Sequence, residues 1–195
     1  MECTYGTPKY IFPSYKEIKS NLKEYLDSNL KINRPVIILA YSFGKSQILL
    51  NTIEMNSSVI LERSIYNHVE ILEDLGIIFR EWEPYGNYNK NQLIKLKKYV
   101  LIIPPYFMFQ EPYKTLISNG AQVLYATGKG LNEAEKEKFL ADYYLLYSDH
   151  CSFNQLINFV DQCKSGEIYL EHGQINEFTY FIKNNLYFSN INFLI

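Results

Sequence analysis

Pro35-Val36-Ile37-Ile38-Leu39-Ala40-Tyr41, followed by Ser42-Phe43-Gly44-Lys45-Ser46-Gln47, decides how this chain is read. The proline opens an apolar run of strand length with no polar alternation, as in a buried strand of a parallel sheet. The polar, glycine-containing segment behind it leads into a helix pattern over 45–55. Strand followed by helix is the repeating unit of α/β proteins. Working outward, Ser14 and Glu17 form a capping box, and Tyr15, Ile18, Leu22, Tyr25, Leu26 and Leu30 recur at three- and four-residue spacing, which predicts the preceding helix. Further strands are predicted at 58–61, 77–82, 99–103, 121–126, 143–147, 167–171 and near 191–195. Helices are predicted between them at 64–75, 89–98, 112–118, 132–140, 152–163 and 175–184. Gly76 and Pro84-Tyr85-Gly86-Asn87 mark connections, and Pro104-Pro105 ends the strand before it. The pattern predicts an α/β fold, a mainly parallel sheet flanked by helices. The loop 103–112 and the turn Gly128-Lys129-Gly130 are too short to act as linkers between independent domains.

Composition narrows the partners. With 19 Lys and Arg against 21 Asp and Glu, the net charge of -2 gives no global basic field, so any polyanion must be held by a local site. The longest apolar runs, Val36–Tyr41 and Tyr99–Ile103, fall far short of the roughly 20 residues of a membrane helix. No membrane partner is expected. The opening Met-Glu-Cys-Thr-Tyr-Gly does not read as a signal peptide, and three cysteines without Cys-x-x-Cys spacing suit a reducing cytoplasm.

Histidine is scarce, so each placement carries weight. His68 lies inside the helix pattern of Ile65, Val69 and Leu72 and is set aside as a surface or half-buried helix residue. His150, in Tyr147-Ser148-Asp149-His150, and His172, in Glu171-His172-Gly173, each follow a strand pattern and precede a helix. Open α/β sheets place ligands at such carboxyl ends. Gly44-Lys45-Ser46 invites a nucleotide-binding reading, but the second glycine of a phosphate loop belongs five positions before Gly44, where Leu39 stands. Ser42, Gly44 and Lys45 remain candidates to hold one phosphate at a helix start, against an ordinary turn with Lys45 in solvent. Aromatic residues are abundant, with 18 Tyr and 12 Phe. Tyr106, Phe107, Phe109 and Tyr113 cluster near the Pro-Pro turn, where they would stack bases or pack a core. Glu2 is a candidate catalytic carboxylate, or a solvated terminal residue.

Three separated motifs, Glu2-Cys3-Thr4-Tyr5-Gly6, Tyr147-Ser148-Asp149-His150 and Tyr169-Leu170-Glu171-His172-Gly173, together resemble the β-CASP branch of the metallo-β-lactamase-fold nucleases. Ala40-Tyr41-Ser42-Phe43-Gly44-Lys45-Ser46-Gln47 resembles the Tyr-Ala-x-Gly-Lys-x-Gln run of that branch, and Ile103-Pro104-Pro105 its strand end. Within the branch the chain is most similar to exonucleases linked to archaeal RNA processing and to bacterial DNA repair ligases. The resemblance implies three regions: 1–6 ending the metallo-β-lactamase lobe, 7–145 as the β-CASP domain, and 146–195 returning to that lobe. It implies that Glu2 and His150 form a hydrogen-bonded pair that aids leaving-group protonation, and that His172 is a zinc ligand. It also implies that Ser148 lies near substrate phosphate and the Gly44-Lys45 turn at a cleft for RNA or single-stranded DNA.

The departures from the pattern are equally specific. The family's His-x-His-x-Asp-His zinc motif precedes its Glu-x-Thr-Tyr-Gly motif, at which this chain begins. The usual Ser-Gly-Trp before the second motif is replaced by Thr127-Gly128-Lys129. With His172 as the one matched ligand, a two-zinc site is not complete, since zinc centres use three or four protein donors. The expected function is therefore the β-CASP part of a split metal-dependent nuclease, inactive alone and completed by a zinc-bearing partner chain; the expected protein partner is such a chain or a homo-oligomer. A non-catalytic nucleic-acid-binding or scaffolding subunit, and a small α/β nucleotide-binding protein, are the alternatives.

Overall fold

A computed structural model of the chain describes residues 1–54, 57–184 and 192–194. A two-residue strand, β1 (Glu2–Cys3), opens the chain. The polypeptide divides into two compact units, Met1–Phe12 with Ser148–Ile195, and Pro13–Tyr147.

The unit Pro13–Tyr147 is built on a six-stranded parallel sheet. Its strands are β2 (Val36–Leu39), β3 (Ser58–Leu61), β4 (Glu83–Pro84), β5 (Tyr99–Ile103), β6 (Gln122–Ala126) and β7 (Tyr143–Leu145), in the order β4-β3-β5-β2-β6-β7. Every pairing in it is parallel. The run that opened the sequence reading lies near the middle, as β2, with all four residues buried. Its side chains alternate between two cores. Val36, Ile38 and Ala40 face α1 (Tyr15–Lys31), α2 (Lys45–Thr52) and α3 (Arg63–Asp74). Ile37 and Leu39 face α4 (Lys90–Leu96), α5 (Tyr113–Ser118) and α6 (Glu133–Phe139). An uninterrupted apolar strand is what a sheet covered on both faces requires. Ser14 caps α1 with the expected box, its side chain accepting from Glu17 N.

The sheet departs from the sequence reading at its edge. The predicted strand 77–82 does not form; the edge strand is instead the two-residue β4, Glu83–Pro84, just beyond it, paired with Ile60 and Leu61. Upstream of it, Arg80 donates to the carbonyls of Ile53 (2.6 Å) and Ser57 (3.2 Å), while Asn51 Oδ1 accepts from Arg80 N (3.1 Å). The backbone there is satisfied by side chains instead of a ladder.

The unit Met1–Phe12 with Ser148–Ile195 has its own core, in which Cys3, Phe153, Leu156, Val160, Ile168, Leu170, Phe178 and Ile182 are buried. It contains α7 (Phe153–Cys163), β8 (Glu167–Tyr169), β9 (Glu171–Gly173), α8 (Ile175–Lys183) and β10 (Asn192–Leu194). The predicted strand 167–171 is split at Leu170. Its first part pairs in parallel with β10 and its second with β1. The predicted strand near 191–195 is described over 192–194, and its two flanking residues lie outside the described residues. Among the described residues no helix is long and apolar enough to cross a membrane.

Candidate functional site

In β1 and β9, Glu2 lies opposite Glu171 and Cys3 opposite Gly173. Two segments from opposite ends of the sequence thus share one strand pair. The close approach depends on backbone shape. His172 and Gly173 have φ of 64° and 88°, and a Cβ on Gly173 would stand 2.4 Å from the Cys3 carbonyl oxygen. That carbonyl accepts from Gly6 N (3.1 Å) and Gln174 N (2.8 Å), locking the first and third motifs together. A left-handed histidine costs on the order of 1 kcal/mol, so surrounding bonds must hold it. His172 itself is exposed.

The Glu2 carboxylate accepts from Thr4 N (2.8 Å) and Thr4 Oγ1 (2.5 Å), and its Oε2 lies 3.5 Å from His150 Nδ1. The Tyr5 ring meets the His150 imidazole edge-on, with centroids 6.2 Å apart. Behind the imidazole, His150 N donates to Ser148 Oγ (3.0 Å), so the serine shapes the loop that carries the histidine. Ser152 and Gln155 then cap α7 reciprocally and end that loop. The two side chains stand at ion-pair distance without the hydrogen bond the resemblance implies; an imidazole that turned its Nδ1–H to the carboxylate would keep Nε2 for a substrate proton. The Glu2 side chain is 33% exposed and held by three contacts, unlike a freely solvated terminal residue.

Burial pushes the Cys3 thiol up to about 11, with the neighbouring Glu2 carboxylate adding to the shift, so Cys3 is no thiolate nucleophile at neutral pH. Among the described residues no group of three or more His, Cys, Asp and Glu side chains is arranged to hold a metal ion. The residues present therefore do not by themselves fit the zinc that the sequence resemblance implies.

Ser42, Gly44 and Lys45 lie in the other unit, in the turn from β2 into α2. Gly44 has φ of 81°, which favours glycine. Lys45 is not in solvent, as the simplest reading of the turn expected. It is 4% exposed, with its ammonium 5.5 Å from the Tyr41 ring centroid and 6.0 Å from that of Tyr147. Ser46 Oγ donates to the Tyr41 carbonyl and Gln47 Nε2 to the Ser42 carbonyl (3.0 Å), while Lys45 N donates to Phe43 O (3.2 Å). The first turn of α2 thus braces the loop and occupies one of the amides open to a phosphate.

Two features escaped the sequence reading. His68 Nδ1 donates to the Ser64 carbonyl (2.7 Å), and its ring lies 5.2 Å from that of the exposed Phe43. No periodicity could have joined residues on separate elements. The aromatic group near the Pro-Pro turn is also divided: Phe107 stacks on the buried Tyr113 at 6.0 Å, whereas Tyr106 and Phe109 remain exposed.

No protein-family model matches the chain. It is similar to a protein of Opitutus terrae named "Probable DNA ligase", with 25% identity over 179 residues. The match covers 91% of this chain but only 17% of the relative, so the chain spans a small part of that protein's length.

Proposed function

We propose that this chain is the β-CASP part of a metal-dependent nuclease that hydrolyses phosphodiesters of RNA or DNA. In this reading it is inactive alone and is completed by a partner chain that brings the zinc donors. The observation that carries the proposal is the Glu2–His150 pair, 3.5 Å apart although the residues come from distant motifs. Its support is the strand pair β1–β9, which sets the exposed His172 beside the Glu2 strand. The ligase-named relative favours DNA over RNA as the substrate. His150, oriented by Glu2, gives a proton to the leaving oxygen, Ser148 stands near the scissile phosphate, and His172 is one donor to a metal otherwise held by the partner.

A non-catalytic nucleic-acid-binding subunit is the second reading. It is favoured by the lack of a metal-holding group among the described residues. The decisive experiment isolates the complex formed by the full chain and measures hydrolysis of a labelled single strand. Glu2→Gln and His150→Ala are each expected to slow it by about a hundredfold. Undiminished hydrolysis in both variants would overturn the catalytic reading in favour of the second. The chain purified alone is expected to carry less than about one zinc ion, and about two per chain would show that it needs no partner for metal.

A further inference from the structure

The six-stranded sheet carries a cavity of about 440 Å³ at its amino edge, the end opposite to the turn 42–45. β2 lies between β5 and β6; α1 runs into β2 from one face of the sheet, while α4 and α5 run into β5 and β6 from the other. The helices therefore part around the start of β2, and the three connections that lead into these strands wall the space between them. Its volume falls in the range of about 300 to 1,000 Å³ that small-molecule sites occupy.

The lining divides by chemistry. The buried Tyr99 and Leu116 and the half-buried Ile94 supply an apolar side. Arg34 and Lys97 bring two exposed cations, and among the described residues no carboxylate lines the cavity. Cations near helix C-termini commonly hold the last carbonyls. These two are not needed there, because the turns cap themselves: Asn29 O accepts from Arg34 N (3.1 Å), Leu96 O from Lys98 N (2.6 Å) and Leu116 O from Ala121 N (3.2 Å). Among the described residues neither the Arg34 nor the Lys97 side chain makes a hydrogen bond or an ion pair. Two amides complete the rim. Asn119 Nδ2 donates to the Thr115 carbonyl (2.8 Å), which leaves its Oδ1 to accept, and the Asn33 amide is open at both ends. An apolar side takes a flat ring, amides pair with the polar edge of that ring, and two cations balance a phosphate monoester, which carries about two negative charges at neutral pH.

We propose that this cavity binds a nucleoside monophosphate, with Arg34 and Lys97 on the phosphate and the base against Ile94, Tyr99 and Leu116. The cavity belongs to the unit Pro13–Tyr147, whereas Glu2, His150 and His172 belong to the other, so the inference goes beyond the hydrolytic reading and does not depend on it.

The test is calorimetric titration of the full chain with adenosine monophosphate, adenosine and inorganic phosphate. Adenosine monophosphate is expected to bind, with adenosine and phosphate each at least about tenfold weaker. Arg34→Gln and Lys97→Gln should each weaken the nucleotide about tenfold, as loss of a charge-assisted contact does. Lys95→Gln, an exposed cation outside the cavity, is the control expected to bind as the wild type does. All three side chains are exposed, and an unchanged circular dichroism spectrum verifies folding. Failure of the nucleotide to bind overturns the site, as does equal binding by all three variants. Phosphate that binds as tightly as the nucleotide overturns the assignment to a nucleoside. Binding weakened by Glu2→Gln and untouched by Arg34→Gln would place the nucleotide at the hydrolytic pair and overturn the cavity while leaving that reading intact.

Discussion

Gly173 leaves no space for a side chain, and the candidate site depends on that. A Cβ there would stand 2.4 to 2.5 Å from the backbone of Cys3 and Thr4, far inside van der Waals contact, and the φ of 88° is strained for any other residue. Gly173→Ala should destabilise the Met1–Phe12 and Ser148–Ile195 unit by about 2 kcal/mol or more, through overpacking and backbone strain together. Gly166→Ala, with open space around it, is the control, expected to shift the unfolding midpoint little. A Gly173 variant as stable as the control would show that β1 and β9 do not approach this closely. At this scale Glu2, His150 and His172 were legible because they stand in motifs. Thr4 and Tyr5, which hold the Glu2–His150 pair, were legible only as neighbours in the first motif, since their hydrogen bond and ring contact require folded coordinates.

Local signals set the elements where the chain satisfies itself. Ser152-x-x-Gln155 reads as a helix start because each side chain reaches the other's backbone N–H, and α7 begins there with both bonds made. Ser152→Ala should cost about 1 kcal/mol in chemical unfolding, with Ser152→Asp restoring most of it. Equal stability of serine and alanine would mean that the cap contributes nothing. Strand 77–82 was misread for the opposite reason. Its apolar pattern is local, but a strand exists only if a neighbour offers a ladder, and the Asn51 side chain took the Arg80 N–H and the Ile78 carbonyl instead. The break of 167–171 into β8 and β9 has the same origin, since its halves pair with strands from opposite ends of the sequence.

For the whole molecule, burial governs how it responds to alkali. Desolvation pushes the phenols of Tyr99, Tyr113 and Tyr125 well above their ordinary value, and a hydrogen bond to Glu83 followed by burial pushes Tyr88 up to about 12. Above about pH 10 the unfolded chain releases protons that the folded chain keeps. Stability is therefore full below pH 10 and falls as pH rises toward these raised values. A phenolate absorbance titration should show the phenols of Tyr88, Tyr99, Tyr113 and Tyr125 ionising only as the chain unfolds. A single step near pH 10 with the fold intact would refute this.

The sequence by itself determined the α/β class, the capping boxes at Ser14 and Ser152 and the identity of the candidate catalytic side chains. Hydrophobic period, capping chemistry and motif spacing act over a few residues and are written in order along the chain. Only the tertiary structure decided that Glu2 meets His150, that Lys45 is buried beside Tyr41 instead of solvated, and that Tyr106 and Phe109 stay exposed while Phe107 and Tyr113 pack inward. Those outcomes depend on which strands become neighbours and on how much water each side chain loses, quantities set by the packing of distant segments.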